Sequence, residues 1–495
     1  MKLNKIFIAL CGLVAFSACS KSYLEEEVYS SIYTDEFYKT ATDAEAGLTA
    51  VYGSMVALYS TAGTAASDFS ADQSYPRPVV GRDNYVLYNY DENYTTQKSF
   101  GREFESPVAI WRSCYDGIEK ANWVLQKVPS TNMDSKRRSE ILGEAFFLRA
   151  FYHWMLTKNF GNVIIKTNPS TGLDNAYLPN SPKAEVYMQI FADLDSAVAN
   201  LPSYSSSIQK GRPSKEVALA LYAKSALYNE EWAKSLDKAQ QVIASGKYSL
   251  MPDPKDLYSV PREDAARVEN MWAYECETSI PAIGSQIHSL FGPRNSAAPA
   301  YLVTSFGSAL MYQSFFNSFD PKDKRRQLLD TNYVNKAGQV VPQASVDPAT
   351  PNAVLLKKYM DPNSIGATGA TNIQILRLAD VYLIAAEAEA RLNGATTEAY
   401  DNINIVRNRA GLDDLTPGLS KDAFIDSVLQ ERSWEFFGEG DRWYDLTRTD
   451  KYLTVIPTAV NNIYPVRQPS VRNKYFPIPL DELNANPNVE QNAGW

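Results

Sequence analysis

The chain has 495 residues, 48 lysines and arginines against 57 aspartates and glutamates, and a formal net charge of −9. That balance excludes a nucleic-acid partner, because phosphates demand clustered Lys and Arg. A chain of this length can bury a large core without covalent staples, and it contains no run of 18 apolar residues, about the least that a membrane-spanning helix needs.

Lys2 and Lys5 precede an apolar run from Ile6 to Phe16, and the small residues Ser17 and Ala18 lead into Cys19. A charged start followed by 11 apolar residues is a secretory signal, too short to cross a bilayer. Small side chains just before a cysteine resemble a bacterial lipobox. The resemblance implies cleavage before Cys19 and lipidation of Cys19 itself. One acyl chain anchors weakly, at roughly 0.8 kcal/mol per buried methylene, whereas two or more hold a protein stably. Residues 1–18 therefore read as a lipoprotein signal peptide and 19–34 as a lipidated tether. Within the tether, Glu25, Glu26 and Glu27 resemble the acidic tag that marks Bacteroidetes-type lipoproteins for the cell surface. The plainer alternative is a solvated linker.

Beyond the tether the regular parts read as helices. Candidates run over 43–59, 107–128, 139–160 and 182–201; Pro107 suits a first turn, and Gly161 ends the third. Residues 214–228 and 231–245 form a helix pair with Ser214 as N-cap and Gly246 as terminator. Small Ala218, Ala223 and Ala226 permit close approach while Tyr222, Tyr228 and Trp232 fill gaps, which is the texture of a tetratricopeptide unit. A second set covers 371–392, 398–409 and 421–437, with Leu376, Ala379, Leu383, Ala386 and Ala390 on one face of its first member. Such pairs bury their apolar faces only by stacking, so the predicted fold is mainly α, a curved tetratricopeptide-like scaffold. Two stretches, 60–106 and 251–351, break the pattern. They are too long for ordinary connections and too aromatic for disorder, which places the binding face there.

Chemistry-bearing signals are sparse. The two histidines, His153 and His288, form no metal-ligand spacing, and His153 sits inside the aromatic helix pattern around Phe151 and Trp154. No nucleophile elbow, Walker loop or dinucleotide fingerprint occurs, and no cofactor or metal is expected. Asp320 to Arg326 reads as a helix start with a solvated charge run, its basic residues opposing calcium. Of the cysteines, Cys114 and Cys276 remain after the signal and lipidation site are set aside. Cys114, in register with Trp111, Tyr115 and Ile118, suits a buried free thiol, and the sequence leaves a pair with Cys276 open.

Four strings in the C-terminal half stand out: LRLADVYLIAAEA at 376–388, INIVRNRAGL at 403–412, ERSWEFFGEGDRWYDLTR at 431–448, and FPIP at 476–479 running to Gln491 and Asn492. The N-terminal half adds EAFFLRA at 144–150, FGNV at 160–163, GRPS at 211–214 and SGKY at 245–248. Together they resemble the SusD/RagB family of outer-membrane nutrient-binding lipoproteins. The similarity covers nearly the whole mature chain and divides it into a SusD-like N-terminal region, 35–250, and a SusD/RagB C-terminal region, 251–495.

The resemblance implies a surface protein, held in the outer membrane by its lipid and facing the cell exterior. It would capture a glycan for a SusC-like TonB-dependent transporter, or a peptide in the RagB branch, and would not be an enzyme. A sugar site needs aromatic platforms and planar polar groups, and this chain has 31 tyrosines. The first irregular stretch offers Asp72, Tyr75, Arg77, Arg82, Asn84, Tyr85 and Tyr88; the second offers Phe291, Arg294 and Tyr301. Structural packing is an equal reading for the tyrosines. Trp272 and Tyr274 fall in a segment resembling the family's buried strand, and so belong to the core.

The charged run Glu431, Arg432, Glu435, Glu439, Arg442 and Asp445 has spacing suited to ion pairs along a helix, about 0.2–0.5 kcal/mol each when exposed. A two-carboxylate hydrolase is the competing reading. Arginine neighbours lower a carboxyl pKa, whereas a general acid needs it raised, so the structural reading is preferred. A purely structural helical adaptor is the remaining alternative.

Overall fold

The computed structural model describes residues 37–59, 63–78, 81–93, 105–172, 177–279, 283–294, 305–345 and 350–495. Cys19, the acidic tag and Tyr301 lie outside them. Among the described residues, ten helices reach seven residues or more: α1 (Ala41–Gly53), α2 (Pro107–Lys127), α3 (Ser135–Phe160), α4 (Lys183–Asn200), α5 (Lys215–Tyr228), α6 (Trp232–Ser245), α7 (Leu378–Asn393), α8 (Thr397–Arg409), α9 (Lys421–Glu435) and α10 (Arg442–Arg448).

Local chemistry sets their ends. Thr40 and Asp43 form a capping box at α1, Asp134 accepts from the Arg137 amide at α3, and Ser214 accepts from the Val217 amide at α5. The Asp134 cap starts α3 four residues before the expected Ser139, because Ser135 to Arg138 are polar and carry no apolar period. Gly246 ends α6 in the left-handed conformation. Each of α1 to α6 packs on its neighbour, and α7 continues the stack from α6 before pairing with α8 and α9. The α2–α3 approach depends on Gly117, where a β-carbon would lie 2.3 Å from the Tyr152 ring.

The expected helix over 371–392 divides. Ile373–Arg377 is a strand, antiparallel to Asn270–Tyr274, and the helix begins at Leu378. The run Ile373-Gln374-Ile375-Leu376-Arg377 is apolar at three of five positions without strict alternation, and so short a run also fits one helical turn. A second strand pair joins Ser74–Pro76 to Ala309–Met311, with Tyr75 opposite Leu310. One large hydrophobic core links both halves of the chain, and a smaller one fills the space between α7, α8 and α9. Trp272 is buried in the first, packed edge-on against Phe147 and Phe151. Cys114 and Cys276 are both free and buried.

The charged run does more than pair with itself. Arg432 bonds Asp380 of α7 at 2.6 Å as well as Asp445 at 2.8 Å. Glu435 receives Arg325, Arg377 and Arg409. Glu439 receives Lys358 and Arg377. Most partners lie on other elements, so the run fastens elements together. Arg325 corrects the reading of 320–326 as solvated: it is 1% exposed and also holds Asp323 and Glu431. Burial pushes the Glu435 carboxyl up, but the three arginines outweigh it and hold it well below the usual range.

His153 is likewise structural. Its Nε2 accepts from the Lys166 amide at 3.3 Å, which leaves Nδ1–H to donate to the Arg149 carbonyl at 3.0 Å. Burial and the Arg149 charge lower its pKa to about 3, so the ring is neutral at physiological pH.

Candidate functional site

The strand pair Ser74–Pro76 and Ala309–Met311 carries Tyr75 and Tyr312 to the edge of a cleft of about 250 Å³. Their rings lie 4.7 Å apart between centroids, inclined at 48°, and Tyr464 meets Tyr75 edge-on at 6.2 Å. Two further sets of residues line it, one with Gln313, Ser314, Thr350, Pro351 and Asn352, the second wall with Val460, Asn461, Asn462 and Ile463, close in sequence. The second wall is a turn held by Asn461, whose Oδ1 accepts from the amides of Ile463 at 2.9 Å and Tyr464 at 2.8 Å. Asn462 is thereby exposed to solvent, as is Asn352 across the cleft.

The platform is braced from behind. Arg467 donates to the carbonyls of Val86, Ala71, Phe69 and Ser70 and to the Tyr88 hydroxyl. The same guanidinium lies 5.7 Å from the centroids of both the Tyr88 and Tyr312 rings. The Tyr464 hydroxyl donates to the Pro76 carbonyl at 3.0 Å, and the Tyr312 amide to the Gln73 carbonyl at 2.9 Å. Tyr75 and Tyr312 are themselves 3% and 1% exposed, so they form a fixed floor beneath the cleft before any ligand arrives, which limits the ordering cost of binding.

Of the residues singled out from sequence that are described, Tyr75 alone lines this cleft. Asp72 is held bidentately by Arg442 at 2.7 and 2.9 Å; burial pushes its carboxyl up, and Arg442 more than reverses the shift. Arg82 is buried and forks onto Glu105 at 2.7 and 2.6 Å. Tyr85 is fully buried and donates to the Glu105 carbonyl at 2.6 Å. Tyr88 is buried against Trp443 and donates to the Ser70 carbonyl. Asn84 and Phe291 are buried too. In this conformation these five side chains present no face to a ligand, so the structure corrects their placement to the core. Arg77 is half-buried, its amide bonded to the Ser308 carbonyl, and Arg294 is exposed; neither lines the cleft.

Sequence reasoning passed over Tyr312, Asn352, Asn461 and Asn462. The Asn461–Asn462 dipeptide, with a proline three residues on, was the available turn signal. Nothing local in the sequence aligned that turn with Tyr75, which is almost four hundred residues away.

Fold and cleft together define a class: a tetratricopeptide-like helical scaffold carrying a rigid aromatic cleft. Comparison with known proteins gives the family. The family described as "SusD family" matches residues 306–495, and one described as "Starch-binding associating with outer membrane" matches 22–227. A SusD-like protein of Formosa agariphila is 29% identical, with 99% of this chain and 98% of the relative covered. The starch-binding protein SusD of Bacteroides thetaiotaomicron is 25% identical over 73% of each chain. Among solved structures, a laminarin-binding SusD-like protein superposes with a TM-score of 0.77 at 25% identity, covering 92% of this chain and all of the other. A surface glycan-binding protein A from Bacteroides uniformis shares the fold, with a TM-score of 0.76 at 23% identity over the same shares of the two chains. The chain is thus similar to SusD-type proteins over residues 22–227 and 306–495.

Proposed function

We propose that this protein is a lipid-anchored receptor on the outer face of the outer membrane. It captures oligosaccharide in the Tyr75–Tyr312 cleft and passes it, without cleaving it, to a SusC-like TonB-dependent transporter. The observation that carries the reading is the cleft itself: a lining of uncharged polar side chains, with Ser314 and the amides of Asn352 and Asn462 exposed over a fixed tyrosine floor, as sugar hydroxyl rims require. The laminarin-binding relative supports a glycan as the cargo. Against hydrolysis stands the state of the carboxylates singled out from sequence. Glu435, Glu439 and Asp445 are buried and matched to arginine or lysine, with Glu435 well below the range of a general acid.

Affinity electrophoresis in gels containing polysaccharide, followed by product analysis, tests capture against hydrolysis. Retardation without released sugar is expected. Released oligosaccharide would replace the reading with an enzyme, and peptide binding without glycan retardation would move it to the RagB branch. Anchoring is tested separately. A Cys19→Ala chain should leave the membrane fraction, and co-purification of the intact protein in detergent should recover the transporter.

A further inference from the structure

The chemistry of the cleft also bears on which glycan it takes. Its described lining contains no charged side chain. Arg467, behind the tyrosine pair, is already committed to backbone carbonyls, and Arg442 to Asp72. Three uncharged polar side chains, Ser314, Asn352 and Asn462, are exposed at the cleft and make no hydrogen bond within the described residues. Each amide offers donors and an acceptor together, which matches the paired hydroxyls of a neutral sugar.

A carboxylate or sulfate ester entering the same space would lose hydration and meet no cation in the described lining to replace it. Acidic recognition normally relies on Arg or Lys, in bidentate or point-charge contact. The whole chain adds a field of the wrong sign for a polyanion, with a net charge of −9.

We infer that the cleft selects uncharged oligosaccharide units and excludes uronic-acid and sulfated ones, an inference that rests on the glycan-capture reading. The test is isothermal titration calorimetry on the native protein in non-ionic detergent. The neutral probes are laminarin-, starch-, mannan- and xylan-derived oligosaccharides; the acidic probes are oligogalacturonate and carrageenan fragments.

At least one neutral probe should bind, with an affinity that changes less than about twofold between roughly 50 and 500 mM NaCl, because no ion pair is screened. Acidic probes should bind at least about a hundredfold more weakly, as expected for a desolvated, unpaired charge. The Asn352→Ala/Asn462→Ala double variant should weaken the neutral probe about tenfold or more with an unchanged melting curve, since both positions are exposed. Tighter binding of an acidic probe that fades with salt overturns the selectivity and leaves glycan capture standing. Undiminished neutral binding by the double variant also overturns the inference, because the site would lie elsewhere. Failure of every glycan, neutral and acidic, overturns the capture reading beneath it.

Discussion

Arg467 lies 5.7 Å from the centroid of the Tyr312 ring while its N–H groups tie down the carbonyls of Phe69, Ser70, Ala71 and Val86. One C-terminal side chain therefore fixes both the irregular segment behind Tyr75 and the ring beside it. Replacement by lysine keeps the charge but loses the planar fork. Arg467→Lys should leave several buried carbonyls unsatisfied, at about 1–3 kcal/mol for each. Urea unfolding should show the loss, and calorimetry should show weaker glycan binding as the Tyr75–Tyr312 pair loosens. Full retention of both stability and affinity would remove Arg467 from this bracing role.

Tyr85 and Phe291 illustrate aromatic residues whose role is packing. Both are buried, and Tyr85 also meets Phe476 edge-on at 6.0 Å. Tyr85→Ala and Phe291→Ala should each cost about 3–5 kcal/mol of stability, the range for emptying an aromatic from a core. Denaturant midpoints check this directly. Unchanged midpoints would mean that these side chains are not packed as described.

The arginine network around Glu435 should be sensitive to loss of its central anion. Arg325 and Arg377 approach Glu435 at 3.0 and 2.8 Å, and Arg409 joins them. Glu435→Ala leaves these buried cations short of a counter-ion and should cost about 3–5 kcal/mol. A double-mutant cycle with Arg377→Met separates this uncompensated charge from lost packing: a coupling energy near zero would show that the pair acts independently.

A pH dependence follows from Asp68, which is buried with one carboxyl oxygen lacking any partner among the described residues. Burial raises its pKa to about 7, partly offset by a hydrogen bond from the Gly440 backbone. Between its ordinary value of 3.8 and about 7, the folded state holds a proton that the unfolded state has released. Its contribution to stability therefore declines as pH rises through that window. Asp68→Asn removes the penalty, so its melting temperature should exceed that of the parent at pH 8 and approach it near pH 4. Glu387 acts in the opposite direction. Burial raises its carboxyl, but Arg448 and neighbouring arginines bring it down to about 2, so its contribution is lost as pH falls from 4.5 towards that value. An equal gain for Asp68→Asn at both pH values would contradict the placement of the Asp68 proton.

The sequence by itself determined the helices, several of their caps and the resemblance to SusD-type proteins. These rest on information within a few residues: the 3.6-residue period, a Ser or Thr before an amide, a glycine after the last turn. It read 371–377 as helix, because a short apolar run fits a helical turn as well as a strand, and only pairing with Asn270–Tyr274 decided it. The charged run over 431–448 was legible as structural, but its principal partners were not. Asp380, Arg325, Arg377 and Arg409 reach it from other elements.

The site was decided almost entirely by tertiary structure. Tyr75 and Tyr85 have the same chemistry, lie in the same irregular stretch and are both buried, yet Tyr75 borders the cleft and Tyr85 does not. What separates them is long-range: the pairing of Ser74–Pro76 with Ala309–Met311, and the turn at Asn461 brought alongside. A tyrosine suits both environments, being an apolar ring with a polar tip, so its neighbours in space, and not those in sequence, decide which one it occupies.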